Sequence, residues 1–124
     1  MNNDKLVQFA NHKYLNLETC RKSGKPVPTP VWFAEDNGVL YVYSNASTGK
    51  VKRIRNNPRV RIVPCDVRGG PTGEWIKAQA RIVDDVEAQR GHQLLNRKYG
   101  WQKKLIDFFS GLKNSKQVVM AIHV

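Results

Sequence analysis

The sequence predicts a single domain of the α+β class, mainly an antiparallel sheet or a partly open barrel with small helices. Three observations carry this prediction. Short segments alternate apolar and polar residues with a period of two, and Gly, Pro, Asn or Asp punctuates most of them. Helical spacing occurs only in short pieces between those segments. No regular alternation of strands with long helices appears, which argues against a doubly wound dinucleotide fold. A length of 124 residues matches one domain and suffices for a core without disulfide or metal staples. No repeat, low-complexity run or linker divides the chain, so 1–124 is read as one unit.

Taken in order, residues 4–12 read as a short helix, with Asp4 as its cap and Leu6, Val7 and Phe9 as its apolar side. In residues 14–20, Leu15, Leu17 and Thr19 alternate against Tyr14, Asn16 and Glu18, which is strand periodicity. RKSGKP is a turn, and VPTPVWFAE is an extended segment. Pro28 and Pro30 each delete a ladder donor on the same side, so this segment needs an edge or an interrupted ladder. EDNG is a hairpin turn into the strand VLYVYS. Residues 49–57 read as a short helix that Pro58 ends, because the residue before proline disfavours helical geometry.

RVRIVPCD is a strand, VRGGPTG a loop, and EWIKAQARIV a long alternating strand. Ile76, Ala78 and Ala80 share the close-packing face of that strand; Trp75, Lys77 and Gln79 share the other. Residues 84–99 form a helix that starts at Asp84 or Asp85 and stops at Gly100. Trp101, Leu105, Phe108 and Phe109 have the spacing of a second helix, and QVVMAIHV closes the chain as a strand.

Composition narrows the functional classes. A 40% hydrophobic, 25% charged chain is an ordinary globular one, and no apolar run is long enough to span a membrane. The first fifteen residues lack the continuous apolar core of a secretory signal. Cys20 and Cys65 lie far apart and fit no metal or redox spacing, so reduced, inert thiols and a cytoplasmic location are expected. The net charge of +11 is the abnormal number, and it predicts attraction to a polyanion. Nucleic acid is disfavoured, because residues 47–62 contain no aromatic side chain on which a base stacks. The three histidines show no ligand pairing, so no metal site is expected. No nucleophile–base signature or pair of acids appears, and no catalytic side chain is identified. If the protein is an enzyme, a bound cofactor carries the chemistry.

The run STGKVKRIRNNPRVRI holds six cations and no acid. Val51 and Ile54 are three apart and share the inward face of a helical turn. Lys50 and Arg53 share one neighbouring face, and Lys52 and Arg55 another. The helix starts at Gly49, where the first amides lack intrahelical partners. Those amides, the helix dipole, the hydroxyls of Ser47 and Thr48 and the Lys50 ammonium all suit one phosphate. The order of a Walker loop is absent. A capped surface helix with solvated cations fits the same residues.

The stretch from "TCRKSGKPVPTPVW" through "STGKVKRIRNNPRVRIVPCDVRGG" to "EWIKAQARIV" resembles the pyridoxamine 5′-phosphate oxidase-like superfamily, and most of all its deazaflavin (coenzyme F-420)-dependent oxidoreductases. The resemblance implies a six-stranded split β-barrel with small peripheral helices, forming a homodimer with two cofactor sites between the subunits. It implies a cofactor phosphate against Ser47, Thr48, Gly49, Lys50, Lys52 and Arg53, with Lys50 in the phosphate lysine position. It implies that the cofactor ring packs on Thr29, Pro30, Val31 and Trp32 and on Ser44 and Asn45, and that the partner subunit contributes the region of Trp75 and Lys77. Some relatives carry an arginine where this chain has Thr48. The implied activity is hydride transfer from the deazaflavin to an unsaturated or conjugated small molecule. FMN is the alternative cofactor. Haem or tetrapyrrole binding is the alternative for the fold, with His123 as the late-strand axial candidate. Cations beyond the need of one phosphate, Arg55, Arg59, Arg61 and Arg68, are expected to favour the longer, polyanionic deazaflavin.

Overall fold

A computed structural model describes residues 4–45, 48–100 and 117–124. Seven strands build one sheet: β1 (Tyr14–Cys20), β2 (Pro26–Trp32), β3 (Ala34–Asp36), β4 (Val39–Asn45), β5 (Arg59–Cys65), β6 (Ile76–Ile82) and β7 (Gln117–His123). Among the described residues two helices accompany it, α1 (Gly49–Asn56) and α2 (Asp85–Tyr99), with a 3₁₀ turn over Asp4–Phe9. The strand order is β2-β1-β5-β6-β7-β4-β3, and every pairing is antiparallel. The sheet curls until β2, at one edge, touches β4, next to the other edge. This is the mainly antiparallel split barrel that the sequence predicts, with seven strands in place of six.

The extra strand has a local cause. The extended segment breaks at Phe33: β2 stays on β1, and β3 joins β4 at the opposite edge. At the break, both backbone groups of Phe33 turn to the Tyr99 hydroxyl of α2. Upstream, Pro26, Pro28 and Pro30 lie opposite Cys20, Glu18 and Asn16. Their alternate spacing directs every missing N–H to the open side of β2, which meets the expectation of an edge.

The barrel interior holds Leu15, Leu17, Leu40, Val42, Val60, Ile62, Ala80, Met120 and Ile122. Burial of each large aliphatic contributes about 1.5–3 kcal/mol. The close-packing face expected on β6 is real, since Ala78 and Ala80 join this core. Helix α1 plugs the barrel with Val51 and Ile54, which are 0% and 3% exposed. Helix α2 covers the outer face of β4 and β7, packing Ala88 and Leu94 against Tyr41, Val119 and Ala121. Both faces of β4 are therefore buried, and VLYVY reads as a nearly continuous apolar run.

The ends of α2 follow the sequence signals. The Asp84 side chain accepts the Glu87 amide at 3.0 Å, and Gly100 takes a left-handed φ of 57°. The N-terminal element differs from expectation: it is a 3₁₀ turn, shorter than the predicted helix. Three residues per turn align Leu6 with Phe9, both buried, and leave Val7 exposed rather than on the apolar side. Gln8 fixes this turn to the β5–β6 connection by two bonds of 2.8 Å to the Glu74 backbone. The Asp4 side chain and the helix expected from Trp101 to Phe109 lie outside the described residues. Among those described, no helix is long and apolar enough to cross a membrane.

Candidate functional site

Helix α1 begins unusually. Thr48 stands at its N-cap with extended backbone, yet its side chain makes no capping bond, and no acid occupies the first turn. Helix α2 shows the ordinary arrangement, with an Asp84 cap and Asp85 and Glu87 in the first turn. At α1 the Thr48 hydroxyl instead lies 3.1 Å from that of Ser44, which shares the inward side of β4 with Leu40 and Val42. Lys50 occupies the position where an acid would complement the dipole. Its ammonium is held below the ordinary lysine range, first by desolvation and second by the Arg53 guanidinium.

Arg53 folds back along the helix. Its Nε donates to Thr19 Oγ1 at 2.6 Å, and a Cβ built on Gly49 would meet Arg53 Nη1 at 2.5 Å. Glycine at position 49 is thus what lets the guanidinium lie against the first turn. Thr19 is 0% exposed, and its hydroxyl anchors that guanidinium. Two cations, a hydroxyl pair and uncapped amides converge here, so a phosphate would supply the negative charge that this helix start lacks.

The other predicted site residues are distributed as follows. Thr29 and Val31 lie opposite Leu17 and Leu15, with Val31 packed on the core. Pro30 faces the Gly69 loop, which Asn16 holds by a 2.5 Å bond from its Nδ2 to the Gly69 carbonyl. The Trp32 ring stacks on Tyr99 of α2, with centroids 4.5 Å apart and planes 8° apart. Its side chain is thereby engaged by the helix. Asn45 ends β4, opposite Gln117. Ser47 and the Asn45 side chain lie outside the described residues.

Trp75 and Lys77 are not brought to Lys50 within the chain. Lys77 pairs opposite Arg61 and lines a groove of about 750 Å³ with Glu18, Arg59, Arg61, Gln79 and His123. Arg61 grips Glu18 through bonds of 2.9 and 2.8 Å and lies 5.0 Å over the Trp75 ring. Arg59 and Arg61, expected as cations beyond the need of one phosphate, line this groove. The cause is strand alternation: Val60 and Ile62 point into the core and turn their neighbours outward. His123 Nε2 accepts a bond of 3.1 Å from Arg81 Nε, and Arg81 also grips Glu87. Cys65 is buried, which pushes its thiol up to about 11, and both cysteines are free.

A second groove, of about 500 Å³, lies between the β1–β2 turn and α1, where Arg21 and Lys22 meet Lys52 and Arg53. Sequence reasoning missed Thr19, Arg21 and Lys22. The available signal was the cationic RKSGK turn directly following the strand that carries Thr19.

The sequence model of the family described as pyridoxamine 5′-phosphate oxidase matches residues 3–124. No curated protein matches the chain. Among solved structures, a Listeria innocua protein assigned as a pyridoxamine 5′-phosphate oxidase is similar, with TM-score 0.67 and 20% identity over 97% of this chain and 90% of that one. The haem storage protein HutZ of Vibrio cholerae is similar with TM-score 0.69 and 16% identity, over 99% and 90% of the two chains. An F420-H2-dependent reductase, FDR-A, is similar with TM-score 0.65 and 18% identity, over 90% and 94%. At these identities the likeness is one of fold. Matched by its family model from residue 3 to the last strand, the chain belongs to the pyridoxamine 5′-phosphate oxidase family.

Proposed function

We propose that this protein is a cytoplasmic oxidoreductase that binds the phosphate of a flavin-like cofactor at the start of α1, and that the cofactor is the deazaflavin F-420. The observation that carries the reading is the α1 N-terminus: no side-chain cap from Thr48, no acid in the first turn, and Lys50 half-buried beside Arg53. A purely structural helix of this length gains from an acid there, as α2 does. Lys50 and the first amides would hold the phosphate, Ser44 and Thr48 would border it, and Arg53 would stand behind it on Thr19.

When bound, the deazaflavin supplies a hydride for an unsaturated or conjugated small molecule. This chain contributes orientation and exclusion of water, through the β2 backbone on one side and the end of β4 on the other. We place the second wall of the site on a partner subunit, with the sheet face that carries Trp75 and Lys77 as the homodimer interface. That arrangement gives Trp75 and Lys77 a route to a cofactor from which their own chain separates them.

Deazaflavin is preferred over FMN because its tail adds carboxylates to the single phosphate, and this chain has more cations than one phosphate requires. Haem is less suited, because His123 Nε2 already serves Arg81 and would have to leave it to bind iron. Absorbance and fluorescence titrations with F-420, FMN and haem test the proposal. F-420 should bind most tightly, and its advantage over FMN should shrink as salt rises, since exposed charges are screened over about 8 Å at physiological ionic strength. A preference for FMN at low salt overturns the cofactor choice, and binding of haem alone overturns the oxidoreductase. Light scattering should give a dimer at micromolar concentration with cofactor present; a monomer removes the shared site.

A further inference from the structure

The geometry points to a second oxyanion site, in the groove between the β1–β2 turn and α1, joined through Arg53 to the site at the helix start. Arg21 and Lys22 line this groove from the turn, Lys52 and Arg53 from the helix, and Asn56 and Asn57 from the helix end. Four cations share about 500 Å³, and no carboxylate lines it. Arg61, Arg81 and Arg90 each hold a carboxylate within 3.4 Å, whereas no groove cation has a carboxylate partner among the described residues.

Like charges on a concave wall repel one another, and the low-dielectric protein behind them focuses their field into the groove. An oxyanion relieves that repulsion. The C-terminal end of α1 lies nearby, and its dipole opposes an anion with about half a charge. Four full cations outweigh it. The two asparagines add directional donors: the Asn57 carbonyl is occupied by the Arg59 amide at 3.1 Å, and its NH₂ group remains for a ligand. The volume exceeds what one phosphate fills, so the chemistry that fits is a compact di- or trianion, a pyrophosphate or a cluster of carboxylates.

Arg53 makes the two sites interdependent. Its Nε is committed to Thr19 Oγ1, and its Nη1 lies against Gly49 at the helix start. The same side chain lines the groove. An anion on either side draws on one guanidinium. Two separate anions therefore oppose each other's binding, whereas two anionic groups of one ligand engage Arg53 together. The interdependence rests on the helix start being a phosphate site; the groove itself does not.

Calorimetry of the whole chain with inorganic pyrophosphate, at ionic strength matched with chloride, tests this without any cofactor. Two equivalents should bind. Arg21→Gln with Lys22→Gln, both on an exposed turn, should weaken one of them about tenfold or more, the loss of two charge-assisted contacts. Lys50→Ala should weaken the other, and Arg53→Gln should weaken both. A single equivalent, or two equivalents indifferent to the turn variant, overturns the proposal. Loss of only one equivalent with Arg53→Gln overturns the interdependence. Repeating the titration on protein saturated with F-420 or FMN identifies the source of the anion. If F-420 blocks the groove and FMN does not, the cofactor's own tail fills it; if pyrophosphate binds beside both, the ligand is a separate anion. If FMN blocks both equivalents, the groove is only part of the first site and the proposal fails. The cofactor-free stoichiometry keeps this result apart from the deazaflavin reading, which can fail by itself.

Discussion

The Tyr99 hydroxyl holds both backbone groups of Phe33, accepting its N–H at 3.0 Å and lying 2.9 Å from its carbonyl oxygen. The same hydroxyl lies 2.5 Å from the Lys13 carbonyl, so its one proton serves two acceptors. Burial drives its ionisation upward, and it stays a neutral donor at all ordinary pH. This contact is what lets the chain leave β2 at one edge of the sheet and start β3 at the other.

Tyr99→Phe should therefore destabilise the fold by about 1–3 kcal/mol, since it strands a buried N–H while keeping the ring on Trp32. Urea unfolding should show a lower midpoint with an unchanged slope. A midpoint equal to wild type would mean that the Phe33 crossing needs no such support.

Gly91 of α2 should not tolerate alanine. A Cβ there meets Val119 Cγ1 at 2.8 Å and Tyr41 Cδ1 at 3.3 Å. Alanine gains about 1 kcal/mol of helix propensity, while overpacking costs about 1–3 kcal/mol. A net loss of stability is expected in thermal or urea unfolding, and a gain would place α2 farther from the sheet than described.

Among the described residues Glu18 and Arg61 form the best enclosed ion pair, with the Glu18 side chain 10% exposed and that of Arg61 48% exposed. Half-exposure of the arginine screens the pair, so coupling of about 1 kcal/mol is expected. Arg61→Ala should cost about 1–3 kcal/mol, because a largely buried carboxylate loses both bonds. Arg59→Ala, on an exposed neighbour without a carboxylate, should change little. A double-mutant cycle with Glu18→Gln measures the coupling, and zero coupling would leave the pair without energetic weight.

Much of this was legible in the sequence. The edge character of β2 follows from Pro28 and Pro30, the α2 boundaries from Asp84 and Gly100, and the inward face of α1 from Val51 and Ile54. Each is a local rule read at short range. The split between β2 and β3 was not legible, because its cause is a hydroxyl 66 residues from Phe33. The anchoring of Arg53 by Thr19 is likewise a contact over 34 residues. The alternation of β5 was visible, yet the outward side of Arg59 and Arg61 could not be assigned to a groove before β5 was known to lie between β1 and β6.

Lys50 should make cofactor binding pH-dependent. Its amine is held below the ordinary lysine range, so it loses its proton earlier on the alkaline side. Affinity for a phosphate-bearing cofactor should fall as pH rises through that lowered value. Without ligand the sign for stability is opposite. The unfolded chain binds more protons between the lowered value and the ordinary one, so the Lys50 contribution to stability increases with pH there. Lys50→Arg, which stays charged, should abolish the alkaline loss of affinity. Fluorescence titration from neutral to alkaline pH measures this, and an identical loss in the arginine variant would assign it to another group.

A focused phosphate site at the start of α1 is the central claim, and comparison of Lys50→Ala, Arg59→Ala and Arg61→Ala tests it most directly. Cofactor affinity, followed by fluorescence titration at two salt concentrations, should fall about ten- to a hundredfold for Lys50→Ala, the loss of one charge-assisted contact of about 1.5–3 kcal/mol. Each arginine variant should lose far less, because those side chains line the other groove. A diffuse polyanion surface predicts three similar losses, with the salt slope falling by about one for each cation removed. Three similar losses would contradict a cradle built around Lys50.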